Sequence, residues 1–314
     1  TVPAHRGLIV DRLGSPLAIS TPAVSVILNP QKFDPSLHKV KPLAALLGVS
    51  SHYILHLFRK NRSREFVYLK RIISKTQAKK IAKMKLPGIF FKSEYRRDYP
   101  KGAAMAPLLG FTNIDDQGQE GLELAYNDWL NGESGKKEVL IDRKGHVIST
   151  LAWLKQPLQG RPLVLSVDHR IQYLAYRQLM AGLDKFHAKS GSVVVLNVKT
   201  GEILAMANAP SFDPSRRDTD HLERHRNRAL TDVLEPGSVI KPFVIALALE
   251  SGLYTPDTKI NTDHGWMKVG GYRIRDDLDY GVVTLTQLLQ KSSNIAAAKI
   301  LQSLNPTQYR DLLH

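Results

Sequence analysis

The sequence predicts an α+β protein with two domains. Its 314 residues are enough for two domains of about 100–200 residues each. Segments with the alternating pattern of β-strands are interspersed with segments whose apolar residues recur at helical spacing. Residues 156–162 contain prolines and a glycine and predict a linker, so we expect a first domain at 1–160 and a second at 161–314.

The composition is that of a globular protein with a basic surface. Hydrophobic residues make up 43% of the chain and charged residues 23%. The 44 lysines and arginines outnumber the 29 acidic residues, and the formal net charge of +15 suits nucleic acid, anionic lipid or polyanionic wall polymers. The charge is spread along the chain without a basic block, a zinc-finger motif or an RNP-type motif, which disfavours nucleic-acid binding. Because there is no cysteine, disulfides and thiolate metal sites are excluded.

The apolar segments and the start of the chain bear on its location. No apolar run reaches the ~18 residues that a membrane-spanning helix needs. No signal peptide begins at Thr1. The opening Thr1-Val2-Pro3 instead indicates an excised ectodomain.

The first domain mixes predicted strands and helices. Short β-prone runs lie within 18–28, and further strands are predicted at 66–72 and 88–95. Helices are predicted at 52–60, from 74 to about 85, and at 120–131 before Gly132. The helix at 74 has the clearest start, because Ser74 and Gln77 match a capping box ahead of an apolar face.

The second domain is predicted to begin with a short strand at 163–167 and an amphipathic helix from 169 to about 186. Two β-rich runs, 192–198 and 202–208, are joined by Lys199-Thr200-Gly201, which predicts a hairpin. Residues 239–249 are apolar nearly all round and predict a helix buried on every side. A helix at 285–290, a turn at 291–294 and a helix at 295–304 complete the expected elements.

Ser238 and Lys241 are the leading candidates for chemistry. Residues i and i+3 share a helix face, so the hydroxyl and the amine can touch. A serine hydroxyl needs an adjacent base. Burial and a helix N-terminus both lower the pKa of a lysine toward that role. Glu235-Pro236-Gly237 would place Ser238 at the N-terminus, where its backbone N–H can face an oxyanion, although an isolated S-x-x-K is more often an N-cap with a solvent-reaching lysine.

A second candidate element, Ser292-Ser293-Asn294, lies between two predicted helices. A serine there can relay a proton to a leaving amine, and the asparagine amide can hold both Lys241 and a substrate amide. Alone, these three residues indicate a helix cap. Together with an S-x-x-K that opens a buried helix, they match the S-x-x-K and S-x-N pattern of the serine penicillin-recognising enzymes.

Further motifs resemble the class B penicillin-binding proteins, in the order in which that family carries them. The family's opening signature has a counterpart in residues 6–18, Arg6-Gly7-Leu8-Ile9-Val10-Asp11-Arg12-Leu13-Gly14-Ser15-Pro16-Leu17-Ala18, which resemble it. Two segments resemble the family's pedestal motifs: Tyr95-Arg96-Arg97-Asp98-Tyr99-Pro100 and Gly118-Gln119-Glu120-Gly121-Leu122-Glu123. A third, Gly110-Phe111-Thr112-Asn113, resembles the division-specific branch of the family. Residues 191–210, Arg226-Asn227-Arg228 and 235–242 continue the resemblance, which covers essentially the whole chain.

The resemblance implies a pedestal domain at 1–160 and the N-terminal part of an α/β serine transpeptidase domain of the penicillin-binding/β-lactamase type at 161–314. It implies an enzyme of septal peptidoglycan synthesis that attacks stem peptides ending in D-Ala–D-Ala, passes the acyl group to an amine, and is trapped by β-lactams. In it Ser238 would be the nucleophile, Lys241 its base, Ser292 the proton relay, and Asn294 the residue that positions substrate and lysine. No metal or organic cofactor is implied. The resemblance further implies an inner-membrane anchor and a periplasmic location for this part. It also implies a septal glycosyltransferase and other divisome membrane proteins as partners.

The third motif of the family, Lys-Thr/Ser-Gly, is expected far downstream of Ser292, and the sequence stops at His314 first. Lys199-Thr200-Gly201 has the sequence of the motif, but it precedes Ser238 and lies in a predicted hairpin turn. We therefore interpret it as a coincidental match and not as the third motif. We therefore expect the transpeptidase domain to be incomplete and this polypeptide to be inactive or much impaired.

Three alternatives are distinguishable from a transpeptidase. A β-lactamase or β-lactam sensor would share the fold, but the long domain ahead of the candidate serine argues against it. A non-catalytic division scaffold would need only the pedestal. A metalloprotein could use His221-Leu222-Glu223-Arg224-His225, yet its glutamate is misplaced for H-E-x-x-H and no third ligand is evident.

Overall fold

The chain divides into two units, Thr1–Asp232 (unit 1) and Val233–His314 (unit 2). The computed structural model describes residues 2–141, 147–216 and 222–312. Within these ranges, no helix is both long enough and apolar enough to cross a membrane. The domain boundary predicted at residue 160 lies inside unit 1 and stays a prediction.

Unit 1 contains nine strands and eight α-helices within the described ranges. The strands are β1 (Ile9–Val10), β2 (Pro16–Leu28), β3 (Val67–Ile73), β4 (Ile89–Asp98), β5 (Lys136–Ile141), β6 (Val147–Lys155), β7 (Leu163–Val164), β8 (Gly191–Leu196) and β9 (Ile203–Ala209). The helices are α1 (Leu37–Leu47), α2 (Ser51–Lys60), α3 (Lys75–Lys83), α4 (Ala106–Leu109), α5 (Gly121–Ala125), α6 (Asn127–Leu130), α7 (His169–Phe186) and α8 (Arg228–Thr231).

The long strand β2 organises a five-stranded sheet. It pairs antiparallel with β1, β3 and β4, and β1 in turn pairs parallel with β7. The predicted linker at 156–162 is bonded into this unit, because Leu158 pairs with Glu133 and the Gly160 N–H donates to the carbonyl of His5 at 3.0 Å. Residues on both sides of the predicted boundary therefore share one set of backbone hydrogen bonds.

One apolar core of unit 1 lies between the sheet and helices α1 to α3. Fully buried Val26 and Leu28 from β2 pack with Leu43 and Leu47 of α1 and with Ile54 of α2. The predicted capping box at the start of α3 is confirmed: the Ser74 hydroxyl accepts from the Gln77 N–H, and the Gln77 side chain accepts from the Ser74 N–H. This local signal sets where α3 begins.

Three separate family-like motifs meet at one buried ion cluster. The Glu123 carboxylate accepts from Arg6 Nε at 2.6 Å and from Arg97 Nε at 2.7 Å. All three side chains are at most 2% exposed. The motifs at 6–18, 95–100 and 118–123 thus act structurally, by joining three chain segments around one carboxylate.

The single helix predicted at 120–131 is instead two short helices, α5 and α6, broken at Tyr126 with φ −107° and ψ 26°. Arg6 accounts for part of this difference. Its Nη2 donates to the backbone carbonyl of Glu123 at 2.6 Å, and its Nη1 donates to the side chains of Asn127 and Asn131. An arginine distant in sequence thus donates hydrogen bonds to a backbone carbonyl and to side chains along this segment.

The amphipathic helix α7 and the β8–β9 hairpin are both as predicted. The Asp168 side chain caps α7 by accepting from the Arg170 N–H at 2.9 Å. Lys199-Thr200-Gly201 lies in the turn of the hairpin, where the Gly201 N–H donates to the carbonyl of Asn197 at 2.8 Å and φ of Gly201 is 75°.

Unit 2 consists of strands and helices packed around a small apolar core. Its elements are β10 (Lys259–Asn261), β11 (Trp266–Val269), β12 (Tyr272–Arg275), β13 (Val282–Thr284), α9 (Lys241–Glu250), α10 (Leu285–Lys291), α11 (Asn294–Ser303) and α12 (Pro306–Leu312). The strands form two antiparallel pairs, β10 with β13 and β11 with β12. Val244 and Ala248 of α9 are buried against Leu288 of α10 and Ile300 of α11.

The expectation that residues 239–249 are buried on every side is wrong for this unit. Val239 is 69% exposed and Phe243 48%, although Val244 is only 1% exposed. Helices α10, α11 and α12 pack on one side of α9 within unit 2, which leaves the opposite apolar side uncovered there.

Candidate active site

Ser238 lies in a turn immediately before α9. Residues Gly237–Ile240 form one turn of 3₁₀-helix, and α9 starts at Lys241 with a proline in its first turn. Gly237 has φ 58°, a left-handed conformation that glycine adopts without strain. The result is an exposed Ser238 at the N-terminal end of a helix, as the sequence predicts.

The Lys241 side chain is buried and fully engaged. The residue is 6% exposed. Its Nζ donates to Asn294 Oδ1 at 2.6 Å, to Ser292 Oγ at 3.0 Å and to the carbonyl of Ser292 at 2.5 Å. An ammonium has three protons to donate, so these three acceptors hold the amine in one orientation.

Ser292 connects the lysine to the candidate nucleophile. Its Oγ donates to Ser238 Oγ at 2.9 Å, while it accepts from Lys241 Nζ. A direct Ser238–Lys241 hydrogen bond, which helical i, i+3 spacing allowed, is not formed. The lysine is instead drawn to the turn at 292–294, and the hydroxyl of Ser292 bridges the two residues.

The turn that carries Ser292 is shaped by the two helices it joins. Ser292 ends α10 in the left-handed conformation, with φ 54°. Ser293 is buried and caps α11 by accepting from the Ala296 N–H at 3.1 Å. Asn294 is the first residue of α11, which fixes its side chain beside Lys241. All four residues predicted to carry the chemistry are therefore brought together.

Burial lowers the pKa of Lys241 below its ordinary value of 10.5, and the nearby negative charges of Asp276 and Asp277 act in the opposite direction. Desolvation disfavours the charged form of a lysine. The amine therefore releases its proton more readily than an exposed lysine does, which suits a base.

The sequence did not single out Asp276. Its carboxylate accepts from the N–H groups of Asn294 at 2.5 Å and Ile295 at 3.1 Å, and from the hydroxyl of Ser293 at 2.6 Å. Asp276 follows β12 and contacts a turn 17–19 residues downstream, so no local spacing marks it. The Arg275-Asp276-Asp277 sequence alone resembles an ordinary charged loop.

In unit 1, three residues of types that can bind metal ions lie close together. They are Asp11, Asp168 and His169, and their possible ligand atoms lie within 4.8 Å of one another. These groups are already engaged. Asp11 Oδ2 lies 2.6 Å from His169 Nδ1, and Asp168 pairs with Arg170 at 2.6 Å. Hydrogen bonding within the protein accounts for the cluster.

The histidine pattern of the metalloprotein alternative gains no support. His221 lies outside the described residues. His225 is buried, and its ring packs against the rings of Phe212 at 4.4 Å and Phe111 at 5.1 Å between centroids. Its surroundings are aromatic.

Two family descriptions match the chain. Residues 191–314 match the penicillin binding protein transpeptidase domain, and residues 1–165 match the penicillin-binding protein dimerisation domain. Lys241, Ser292 and Asn294 all lie in the first of these ranges, as does Ser238.

Curated relatives are similar over nearly all of the chain. It is 40% identical over 305 residues to the probable peptidoglycan D,D-transpeptidase PbpC of Pseudomonas aeruginosa, which covers 97% of this chain and 54% of the relative. It is 39% identical over 304 residues to the peptidoglycan D,D-transpeptidase FtsI of Escherichia coli, which covers 95% of this chain and 51% of the relative. The chain thus spans about half the length of the curated relatives it matches.

Among solved structures, the fold is similar to the crystal structure of a peptidoglycan synthetase from Bifidobacterium adolescentis. The TM-score is 0.70 at 25% sequence identity, and the match covers 99% of this chain and 62% of the other.

Proposed function

Since the chain belongs to the class B penicillin-binding protein family, we propose that it acts as a serine D,D-transpeptidase that cross-links peptidoglycan stem peptides through an acyl-enzyme on Ser238. One observation carries the proposal: Lys241, Ser292 and Ser238 form a continuous hydrogen-bonded path from a buried amine to an exposed hydroxyl. Such a path is what a weak hydroxyl nucleophile requires.

In the first half-reaction, Ser238 Oγ attacks the carbonyl carbon of the penultimate D-Ala, and a C–O bond forms. The hydroxyl proton passes through Ser292 Oγ to neutral Lys241 Nζ. When the C–N bond to the terminal D-Ala breaks, the leaving nitrogen takes up a proton returned along the same path, and D-Ala departs. Ser292 is suited to this relay because its hydroxyl both donates and accepts.

In the second half-reaction, the amine of a neighbouring stem peptide attacks the ester carbonyl. A new C–N bond forms, the C–O bond to Ser238 breaks, and the proton lost by the amine returns to Ser238 Oγ through Lys241 and Ser292. The side-chain amide of Asn294 holds Lys241 by its Oδ1 atom, and because the residue is exposed it is available to orient a substrate amide.

β-Lactams enter the same scheme. Their strained amide acylates Ser238, but the amine that leaves the carbonyl remains tethered to the adduct. The acyl-enzyme is then released slowly, whereas a β-lactamase would turn it over rapidly.

The cellular role that we propose is septal wall synthesis from the periplasmic face of the bacterial inner membrane, with an anchor segment and a septal glycosyltransferase and other divisome membrane proteins as partners. It is supported by the likeness to FtsI and by the motif Gly110-Phe111-Thr112-Asn113. A fluorescent fusion that gathers at the division site would agree with it, and uniform labelling of the cell periphery would contradict it.

The enzymatic proposal is tested with a soluble stem-peptide analogue ending in D-Ala–D-Ala and a D-amino acid as acceptor. The full-length protein should release D-Ala and form the exchanged peptide, and Ser238→Ala should do neither. A matched serine control is Ser251→Ala, at the other end of α9, which should keep the parent's rate. Equal product from the parent and Ser238→Ala would contradict the proposal.

A further inference from the structure

One carboxylate fixes the turn on which the candidate site depends. Asp276 Oδ1 accepts from two successive backbone N–H groups, those of Asn294 at 2.5 Å and Ile295 at 3.1 Å. Its Oδ2 accepts from Ser293 Oγ at 2.6 Å. The carboxylate therefore satisfies two donors at the start of α11 and the hydroxyl of the residue that caps it.

The same loop fixes the direction of the Asn294 side chain. The Nδ2 atom of Asn294 donates to the carbonyl of Arg275 at 2.8 Å, so Oδ1 is the atom left to face Lys241 Nζ at 2.6 Å. If the amide were flipped, it would present a donor to the ammonium. Arg275 and Asp276 thus set both the position and the polarity of the acceptor that Lys241 uses.

We propose that Asp276 is a positioning residue, which holds the Ser292–Asn294 turn in the geometry that places Lys241 and Ser292 against Ser238. It touches neither Lys241 nor Ser238 by a hydrogen bond, so it acts through the turn. The catalytic consequence of this inference depends on the proposed transpeptidase function, whereas the geometric part does not.

Asp276 also acts on Lys241 through its negative charge. This effect on the pKa of Lys241 can be measured separately from the stability of the fold. Burial lowers the pKa of Lys241, and Asp276 and Asp277 oppose this effect by their negative charge. Other charged groups nearby in sequence are engaged elsewhere or exposed: Arg273 lies over the ring of Trp266 at 4.2 Å, Asp279 lies 3.4 Å from His264 Nδ1, Arg275 is exposed, and Lys291 Nζ lies 5.1 Å from the ring centroid of Tyr280. Removing either carboxylate should therefore lower the pKa of Lys241 further.

Three variants separate the two effects. Asp276→Asn keeps an oxygen that can accept from the two backbone N–H groups but removes the charge. Asp276→Ala removes both. Asp277→Asn is the matched control, because Asp277 carries the same charge one residue away and makes no hydrogen bond to the turn among the described residues.

Two readouts are needed. The first is the rate of acylation by a fluorescent penicillin as a function of pH in the full-length protein. The second is the pH dependence of acetylation of Lys241 by a trace of acetic anhydride, followed by peptide mass spectrometry, which reports the pKa of the amine without requiring activity. Thermal unfolding shows that each variant is folded.

Asp276→Asn and Asp277→Asn should both move the acid limb of acylation and the Lys241 titration to lower pH. Asp276→Ala should in addition lower the maximal acylation rate by about 100-fold, the effect of a misplacement near 1 Å. Asp277→Asn should leave the maximal rate unchanged.

If folded Asp276→Ala acylates and titrates like the parent, the inference is overturned. If the parent is not acylated at all, the proposed function fails. In that case the inference stands or falls on the comparison of Asp276→Ala with Asp276→Asn, which lack the same charge but differ in whether an acceptor for the turn remains: a different Lys241 titration in the two variants supports positioning, and the same titration overturns it.

Discussion

The Oγ atoms of Ser292 and Ser238 lie 2.9 Å apart. Because Ser292 Oγ also lies 3.0 Å from Lys241 Nζ, it is the atom through which the buried amine reaches the exposed hydroxyl. The serine of the turn, and not the spacing within S-x-x-K, makes the connection.

Replacing Ser292 by glycine should abolish most acylation of Ser238. The hydroxyl path to Lys241 is lost, and proton transfer by a positioned group contributes about 10²–10⁴-fold to a rate. Glycine is the chosen replacement because φ of Ser292 is 54°, where an alanine would add backbone strain. Lys241 keeps the Ser292 carbonyl and Asn294 Oδ1 as acceptors, so the site should remain folded. Stopped-flow acylation by a chromogenic β-lactam measures the effect, and a rate equal to the parent's would show that the relay is not used.

Acylation should depend on pH through Lys241. The neutral amine accepts the proton, so the rate should rise with pH and level off above a pKa that burial holds below the ordinary 10.5. Lys241→Arg keeps the positive charge but cannot act as a base at these pH values, and its rate should fall by about 10²–10⁴-fold across the range. Lys299→Arg is the matched control, because Lys299 is a half-buried lysine of α11 that pairs with Asp263. A Lys241→Arg variant with the parent's pH profile would exclude Lys241 as the base.

Glu123→Gln should destabilise unit 1 strongly. It leaves the guanidinium groups of Arg6 and Arg97 buried without their shared counterion. Removing one partner of a buried ion cluster costs about 3–5 kcal/mol of unfolding free energy. Urea unfolding of the 314-residue chain measures this loss by tryptophan fluorescence in a Trp266→Phe background, where the remaining tryptophans of this sequence, Trp129 and Trp153, both lie in unit 1.

The control for Glu123→Gln is Glu133→Gln, which breaks an exposed pair with Lys155. An exposed pair contributes about 0–1 kcal/mol. Equal midpoints for the two variants would show that the cluster around Glu123 contributes no more than a surface pair.

Asp11→Asn should remove stability that the parent loses only in acid. Burial raises the pKa of Asp11, but hydrogen bonds from the side chain and N–H of His169 and from the N–H groups of Ser15 and Leu13 lower it by more, so the net shift is below 3.8. A lowered folded-state pKa gives stability that is complete above the unfolded-state pKa and is lost as the pH falls through the folded-state value. At pH 7 the variant should be less stable by about 1–3 kcal/mol, the cost of losing bonds to a charged group.

The difference between the parent and Asp11→Asn should be constant above about pH 5 and should shrink as the pH falls below about 4. Urea midpoints at several pH values measure it in the same Trp266→Phe background. A difference that grows on acidification would have the wrong sign for this account.

Local signals predicted much of the fold. The capping box at Ser74 and Gln77, the amphipathic pattern of α7 and the turn between β8 and β9 each act within a few residues, and each is confirmed. The break between α5 and α6 could not be predicted, because part of its cause is Arg6, more than a hundred residues away. The exposed face of α9 was missed for a related reason. When a helix is apolar on all sides, its sequence does not indicate which side packs against the rest of the unit.

For the candidate site, the two motifs identified which residues meet, and the structure brings all four together. The sequence did not give the order in which they connect. Ser292 lies between Ser238 and Lys241 because the left-handed end of α10 and the capped start of α11 turn its hydroxyl toward both. Asp276 escaped prediction because its contacts join two loops that no sequence period relates.

The most direct test of the account is the intact mass of the full-length protein after exposure to benzylpenicillin, followed by peptide mapping. The account predicts one penicillin per chain on Ser238, no adduct on Ser238→Ala, and a full adduct on Ser251→Ala. An adduct of the same stoichiometry on Ser238→Ala, or none on the folded parent at saturating antibiotic, would contradict the claim that Ser238 is the activated nucleophile.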